Sequence, residues 1–91
     1  MKATARGKVR INNDLGMHLR AAGALVQLAG RFSSDIWLEY RGVKVNGKSI
    51  MSVLSLAAGK GVEIEISAIG DDAEEAVGTL VELVGRGFGL S

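Results

Sequence analysis

The chain has no cysteine and no proline, a single histidine, and only 4% aromatic residues. Without cysteine there is no disulfide and no thiolate chemistry, which suits a reducing compartment. One histidine falls short of the three or four ligands that a zinc site takes, so no metal is expected. Without proline, turns fall to glycine, of which there are 13. No apolar run nears the roughly 20 residues that span a bilayer, so membrane insertion is not expected. Behind the charge of Met1-Lys2-Ala3-Thr4-Ala5-Arg6 there is no apolar stretch, and no signal peptide is expected. A net charge of +1 gives little reason to expect nucleic acid as a partner.

What remains is a patterned soluble chain. Its 91 residues allow one core, so residues 1–91 are read as a single domain. Ala3, Ala5, Gly7, Val9 and Ile11 alternate with Thr4, Arg6, Lys8 and Arg10, the period of a half-buried strand. Asn12-Asn13-Asp14-Leu15-Gly16 breaks this into a loop. From about His18, the spacing of Ala22, Leu25, Val26 and Ala29 predicts an amphipathic helix that stops near Gly30. Gly23 sits inside that helix at a cost of up to about 1 kcal/mol, which suggests that something approaches closely there. Ile36, Leu38 and Tyr40 make a second strand. Arg41-Gly42 turns it into a third, Val43-Lys44-Val45. Ser49 precedes a short helix over Ile50–Leu54 and is read as its N-cap. Val62, Ile64, Ile66 and Ala68 make a fourth strand. Asp71-Asp72, followed by Glu74 and Glu75, reads as a capping box for a last helix over residues 73–84. Gly85-Arg86-Gly87-Phe88-Gly89 reads as a loose tail.

The order βαββαβα, with one apolar face per strand and one apolar stripe per long helix, predicts an α+β sheet covered by helices on one side. On the open side the first strand presents Arg6, Lys8 and Arg10, and the fourth presents Glu63 and Glu65. Opposite charges on neighbours attract, so these two strands are placed side by side.

His18 falls at the mouth of the first helix, where unpaired N–H groups and a partial positive charge attract phosphate. Arg20, two residues on, can offer its guanidinium to the same oxygens. A neutral imidazole is a competent nucleophile toward phosphorus. The expected device is therefore a phosphohistidine at His18, held by the backbone N–H groups of Leu19 and Arg20 and by the Arg20 side chain. No G-x-S-x-G elbow, P-loop or G-x-G-x-x-G fingerprint offers competing chemistry.

The run Asn13-Asp14-Leu15-Gly16-Met17-His18-Leu19-Arg20-Ala21-Ala22 resembles the active-site segment of HPr, the histidine-containing phosphocarrier family of the phosphoenolpyruvate-dependent sugar phosphotransferase system. Asn46-Gly47-Lys48-Ser49-Ile50-Met51-Ser52-Val53-Leu54-Ser55-Leu56-Ala57-Ala58 resembles the family's regulatory-serine segment, and Asp71-Asp72-Ala73-Glu74-Glu75-Ala76 the start of its last helix. The resemblance implies an HPr-like open-faced β-sandwich, with a four-stranded antiparallel sheet under three helices. It implies that His18, at Nδ1, takes phosphate from Enzyme I and gives it to the A domain of a sugar permease or a regulatory relative. It also implies a regulatory phosphorylation site at Ser49 for an HPr kinase, and a docking face of Leu19, Gly23, Gln27, Ile50, Met51 and Leu54. A cytoplasmic monomer with no cofactor beyond the transferred phosphoryl group is expected. The protein would then be a substrate of its partners' catalysis and not itself an enzyme. Leu19 stands where the family has alanine and Ala21 where it has proline, differences that bear on partner choice. The alternatives are a regulatory module that binds through the same face without transferring phosphate, and a small-molecule or RNA-binding α+β module. The near-zero charge and the lack of exposed aromatic pairs weigh against the latter.

Overall fold

The computed structural model describes residues 2–90; Met1 and Ser91, the ends of the expected 1–91 domain, lie outside the described residues. The elements are β1 (Ala3–Arg10), α1 (Leu19–Ala29), β2 (Asp35–Tyr40), β3 (Val43–Asn46), α2 (Ile50–Ser55), β4 (Glu63–Gly70) and α3 (Ala73–Gly85). A short 3₁₀ turn at Gly87–Gly89 follows. The strands form one antiparallel sheet in the order β1-β4-β2-β3. The three helices cover one face of it, so the α+β open-faced sandwich is as expected.

The core lies between sheet and helices. Ile36 and Leu38 of β2 and Ile64, Ile66 and Ala68 of β4 are buried, each two residues from the next along its strand. Above them lie Ala21, Ala22, Leu25 and Ala29 of α1, Val53 of α2, and Ala73, Ala76, Leu80 and Val84 of α3. Each fully buried large aliphatic side chain contributes roughly 1.5–3 kcal/mol. The many alanines let the helices sit low on the sheet. A Cβ on Gly7 would come within 3.0 Å of the side chains of Val77 and Val81, so α3 rests almost directly on the β1 backbone.

The charge argument placed β1 and β4 correctly. Lys8 stands opposite Glu65 and Arg10 opposite Glu63. Neither pair closes into a salt bridge: among the described residues the ion pairs are Lys60–Asp14 and Arg86–Glu82. Arg10 instead donates to the Gly61 carbonyl oxygen at 2.5 Å. On the same open face Trp37 lies half-buried, with the Lys44 ammonium 5.7 Å from its ring centre.

Two expectations fail. The tail is not loose. Phe88 is buried, and it is turned inward by three successive left-handed residues, Gly87, Phe88 and Gly89. The end of α3 is held by Asn12, whose Nδ2 donates to the Gly85 carbonyl oxygen at 2.7 Å. An aromatic between glycines has no periodic partner, so its burial left no pattern to read.

Asp72 does begin α3, but its side chain makes no capping hydrogen bond there. Its carboxylate accepts from the backbone N–H groups of Ser33 and Ser34 at 2.9 and 3.0 Å and from the Ser34 hydroxyl at 2.5 Å. Three donors across the fold outcompete one on its own helix, and Ser34 is buried and needs the partner. The Ser34 hydroxyl first, then the Ser33 N–H, hold the Asp72 carboxyl down to about 2. Because the folded value lies below the ordinary 3.8, this contribution to stability is present above about pH 4 and is lost as pH falls toward 2. Asp72→Asn should therefore lower the thermal midpoint at neutral pH, and the gap from the parent should narrow between pH 4 and 2. A gap independent of pH across melts in that range would show that the ionised carboxylate is not what matters.

Candidate functional site

The antiparallel pairing of β1 with β4 brings the chain leaving β1 against the chain entering β4. Ile11 N–H donates to the Val62 carbonyl oxygen at 2.9 Å, and Gly61 N–H to that of Ile11 at 2.7 Å. The loop that carries His18 grows out of this junction. Gly16 N–H donates to the Asn13 carbonyl oxygen at 3.1 Å, closing a turn, and Asn13 Nδ2 donates to the Gly16 carbonyl oxygen at 2.8 Å. Buried Met17 donates its N–H to the Ala58 carbonyl oxygen at 2.9 Å. An exposed bridge, Lys60 to Asp14 at 2.9 Å, spans the two loops; the lysine's hydrogen bond and then its charge lower the Asp14 carboxyl.

Gly16 makes that approach possible. Its φ is +63°, and a Cβ would fall 2.7 Å from both the Ala58 carbonyl oxygen and the Gly59 Cα. Both are backbone atoms, which cannot rotate away.

His18 is the N-cap of α1, with φ −84° and ψ −178°. Its backbone N–H donates to the Gly16 carbonyl oxygen at 2.9 Å, and its carbonyl oxygen accepts from Ala22. Its Nδ1 accepts from Ala21 N–H at 3.1 Å. An accepting Nδ1 places the proton of the neutral ring on Nε2. The N–H groups of Leu19 and Arg20 have no partner among the described residues. The half-buried imidazole thus stands over the positive end of an 11-residue helix, with two open donors beside it. Such an arrangement can take up a phosphoryl group on Nδ1 and hydrogen-bond its oxygens.

Arg20 lies in the first turn, exposed, in no ion pair among the described residues. Leu19 is 66% exposed beside it. Gly23 has open space around it, and nothing within the chain approaches it. Gln27 lies further round α1, lining the groove toward α3 with Leu28, Arg31, Leu83 and Arg86.

Helices α1 and α2 run in opposite directions. Ala58, just past α2, meets Met17, while Lys48 Nζ, just before α2, donates to the Phe32 carbonyl oxygen at 2.7 Å. His18 begins α1 and Ser49 begins α2, so the two residues lie at opposite ends of this helix pair. Ser49 caps α2, its hydroxyl accepting from Ser52 N–H at 3.3 Å. Ile50 and Met51 are exposed, Met51 at 78%, whereas Leu54 is half-buried against the core. Sequence reasoning missed Leu15, which stands 72% exposed in the His18 loop. A large apolar residue in a polar loop without a periodic partner was the available signal.

A family model described as the PTS HPr component phosphorylation site matches residues 5–86. The phosphocarrier protein HPr of Neisseria meningitidis serogroup A is 42% identical over 81 residues, covering 89% of this chain and 91% of that protein. Among solved structures, HPr-C-His from Thermoanaerobacter tengcongensis has a TM-score of 0.91 at 44% identity, over 96% of this chain and 98% of that one. A second structure from that organism, an HPr dimer, has a TM-score of 0.75 at 47% identity, over 89% of this chain and 93% of that one.

Gly16→Ala tests the seat of the loop. The left-handed backbone alone should cost about 1–3 kcal/mol, with the clash adding to it. Urea unfolding should show a clearly lowered midpoint. A parental midpoint would mean that the loop does not rest on Ala58 and Gly59 as described.

Proposed function

The chain belongs to the HPr phosphocarrier family, and from that premise we propose that His18 is the residue that carries the phosphoryl group, on Nδ1. The observation that supports this most directly is the capping geometry: Nδ1 faces the helix N-terminus, where Leu19 and Arg20 N–H groups are open.

The step follows from that geometry. The Nδ1 lone pair leaves the Ala21 N–H and attacks phosphorus. The bond from phosphorus to the donor breaks, and its electron pair departs with the donor. The ring keeps its proton on Nε2. The transferred oxygens then lie where the Leu19, Arg20 and Ala21 N–H groups can donate, and the exposed Arg20 guanidinium adds a charged fork. The helix cap is exchanged, not lost. Because one cap replaces another, the net hold on the phosphoryl group stays moderate, as onward transfer requires.

Membership of the family supports a phosphocarrier role in a phosphotransferase system. In our reading the donor is Enzyme I, charged by phosphoenolpyruvate, and the acceptor is the A domain of a sugar permease or a regulatory relative. Docking uses Leu19, Gly23, Gln27, Ile50, Met51 and the exposed edge of Leu54. Ser49 is a second candidate for modification, by an HPr kinase. A phosphate there would sit at a helix N-terminus, which tolerates negative charge, and would act on docking and not on the helix. The reading takes the carrier as a monomer, although one relative crystallised as a dimer.

His18→Asn keeps a good N-cap and removes the nucleophile. Incubated with Enzyme I and phosphoenolpyruvate, it should stay folded and gain no phosphoryl mass by intact mass spectrometry. Undiminished labelling would refute the assignment. Arg20→Ala should slow single-turnover transfer about tenfold or more, since a charge-assisted hydrogen bond is worth about 1.5–3 kcal/mol. Transfer at the parental rate would remove Arg20 from the site.

A further inference from the structure

Asn13 lies in the loop before His18 and is only 4% exposed. Among the described residues, its Oδ1 is the one buried side-chain polar atom without a hydrogen-bond partner. No protein group satisfies this oxygen, so the side chain's hydrogen bonding within the fold rests on its other end. What asparagine supplies at this position is its amide N–H group.

That group is aimed at one atom. The Gly16 carbonyl oxygen accepts from Asn13 Nδ2 at 2.8 Å and from His18 N–H at 2.9 Å. The two donors use both of its lone pairs. Gly16 N–H in turn donates to the Asn13 carbonyl oxygen. The Gly16 peptide is thus pinned on both sides by the same residue, and the His18 backbone hangs from it. The orientation of that backbone decides whether Nδ1 reaches the Ala21 N–H. Adjacent Asn12 is anchored to the end of α3 and Met17 to Ala58, so Asn13 is the inner strut between two fixed points.

We infer that Asn13 is a positioning residue for phosphoryl transfer: its side-chain amide holds the Gly16 carbonyl so that the His18 imidazole is presented at the helix mouth. This rests on the reading of His18 as the phosphoryl carrier.

Asn13→Leu and Asn13→Ala test it in the full chain. For Asn13→Leu the thermal midpoint should stay within a few degrees of the parent. Its ¹⁵N spectra should show displaced His18 ring and Ala21 amide signals. Single-turnover phosphorylation by Enzyme I and phosphoenolpyruvate should fall about tenfold, because a misplaced nucleophile loses rate steeply. Parental ring and amide signals would overturn the inference. So would a loss of rate that merely tracks the loss of thermal midpoint across both variants, or the failure of both to fold. If the parent itself were not phosphorylated, the reading of His18 would fail, and displaced ring signals in the variants would still establish the link from Asn13 to His18.

Discussion

Nδ1 of His18 has one lone pair in the ring plane, and two partners compete for it. In the resting chain it satisfies the Ala21 N–H and so helps to start α1. In the proposed transfer it must bond to phosphorus. These uses exclude each other, and the exclusion organises the site. It sets the tautomer, since an accepting Nδ1 leaves the proton on Nε2. It also aims the ring at the one place on the helix where a phosphoryl group would find donors waiting. A histidine anywhere else on α1 would have neither the orientation nor the open N–H groups of the first turn.

The ring can hold this position because the loop beneath it is fixed at several points, and that fixing is a consequence of sheet order. With β1 beside β4, the end of β1 meets the start of β4, so the loops that follow and precede them lie against each other. Ile11 pairs with Val62 and Gly61, Met17 with Ala58, and Gly16 fits where no Cβ would. Another strand order would part these loops and leave His18 on an unsupported turn. The site is thus set by long-range pairing as much as by the local helix start.

This explains what could be read in advance. The elements, their order and the β1–β4 neighbours followed from periodicity and charge, because these report burial of one face at a time. His18 and Arg20 followed from their place at a helix start. Ser49 followed as a cap because its helix is short and local. Asp72 did not: a local pattern suggested a cap, while its carboxylate was taken by Ser33 and Ser34 on a connection some forty residues away, which no local spacing encodes. Phe88 and Asn13 were hidden for the same reason. Each is buried although neither belongs to a period.

The exposed leucines complete the physical picture. Leu15 and Leu19 flank a histidine that is itself only half-buried, and Met51 projects from the neighbouring helix. Phosphoryl transfer from a donor to an acceptor needs water kept from phosphorus, or the group is lost to hydrolysis. A carrier that enclosed His18 on its own would exclude water and partners alike. One that leaves an apolar rim around an open helix mouth excludes water only when a complementary surface closes over it. The enclosure then exists during the encounter and vanishes with it. In the proposed transfer the two leucines would serve the chemistry as well as recognition, limiting it to the moments when donor or acceptor is docked.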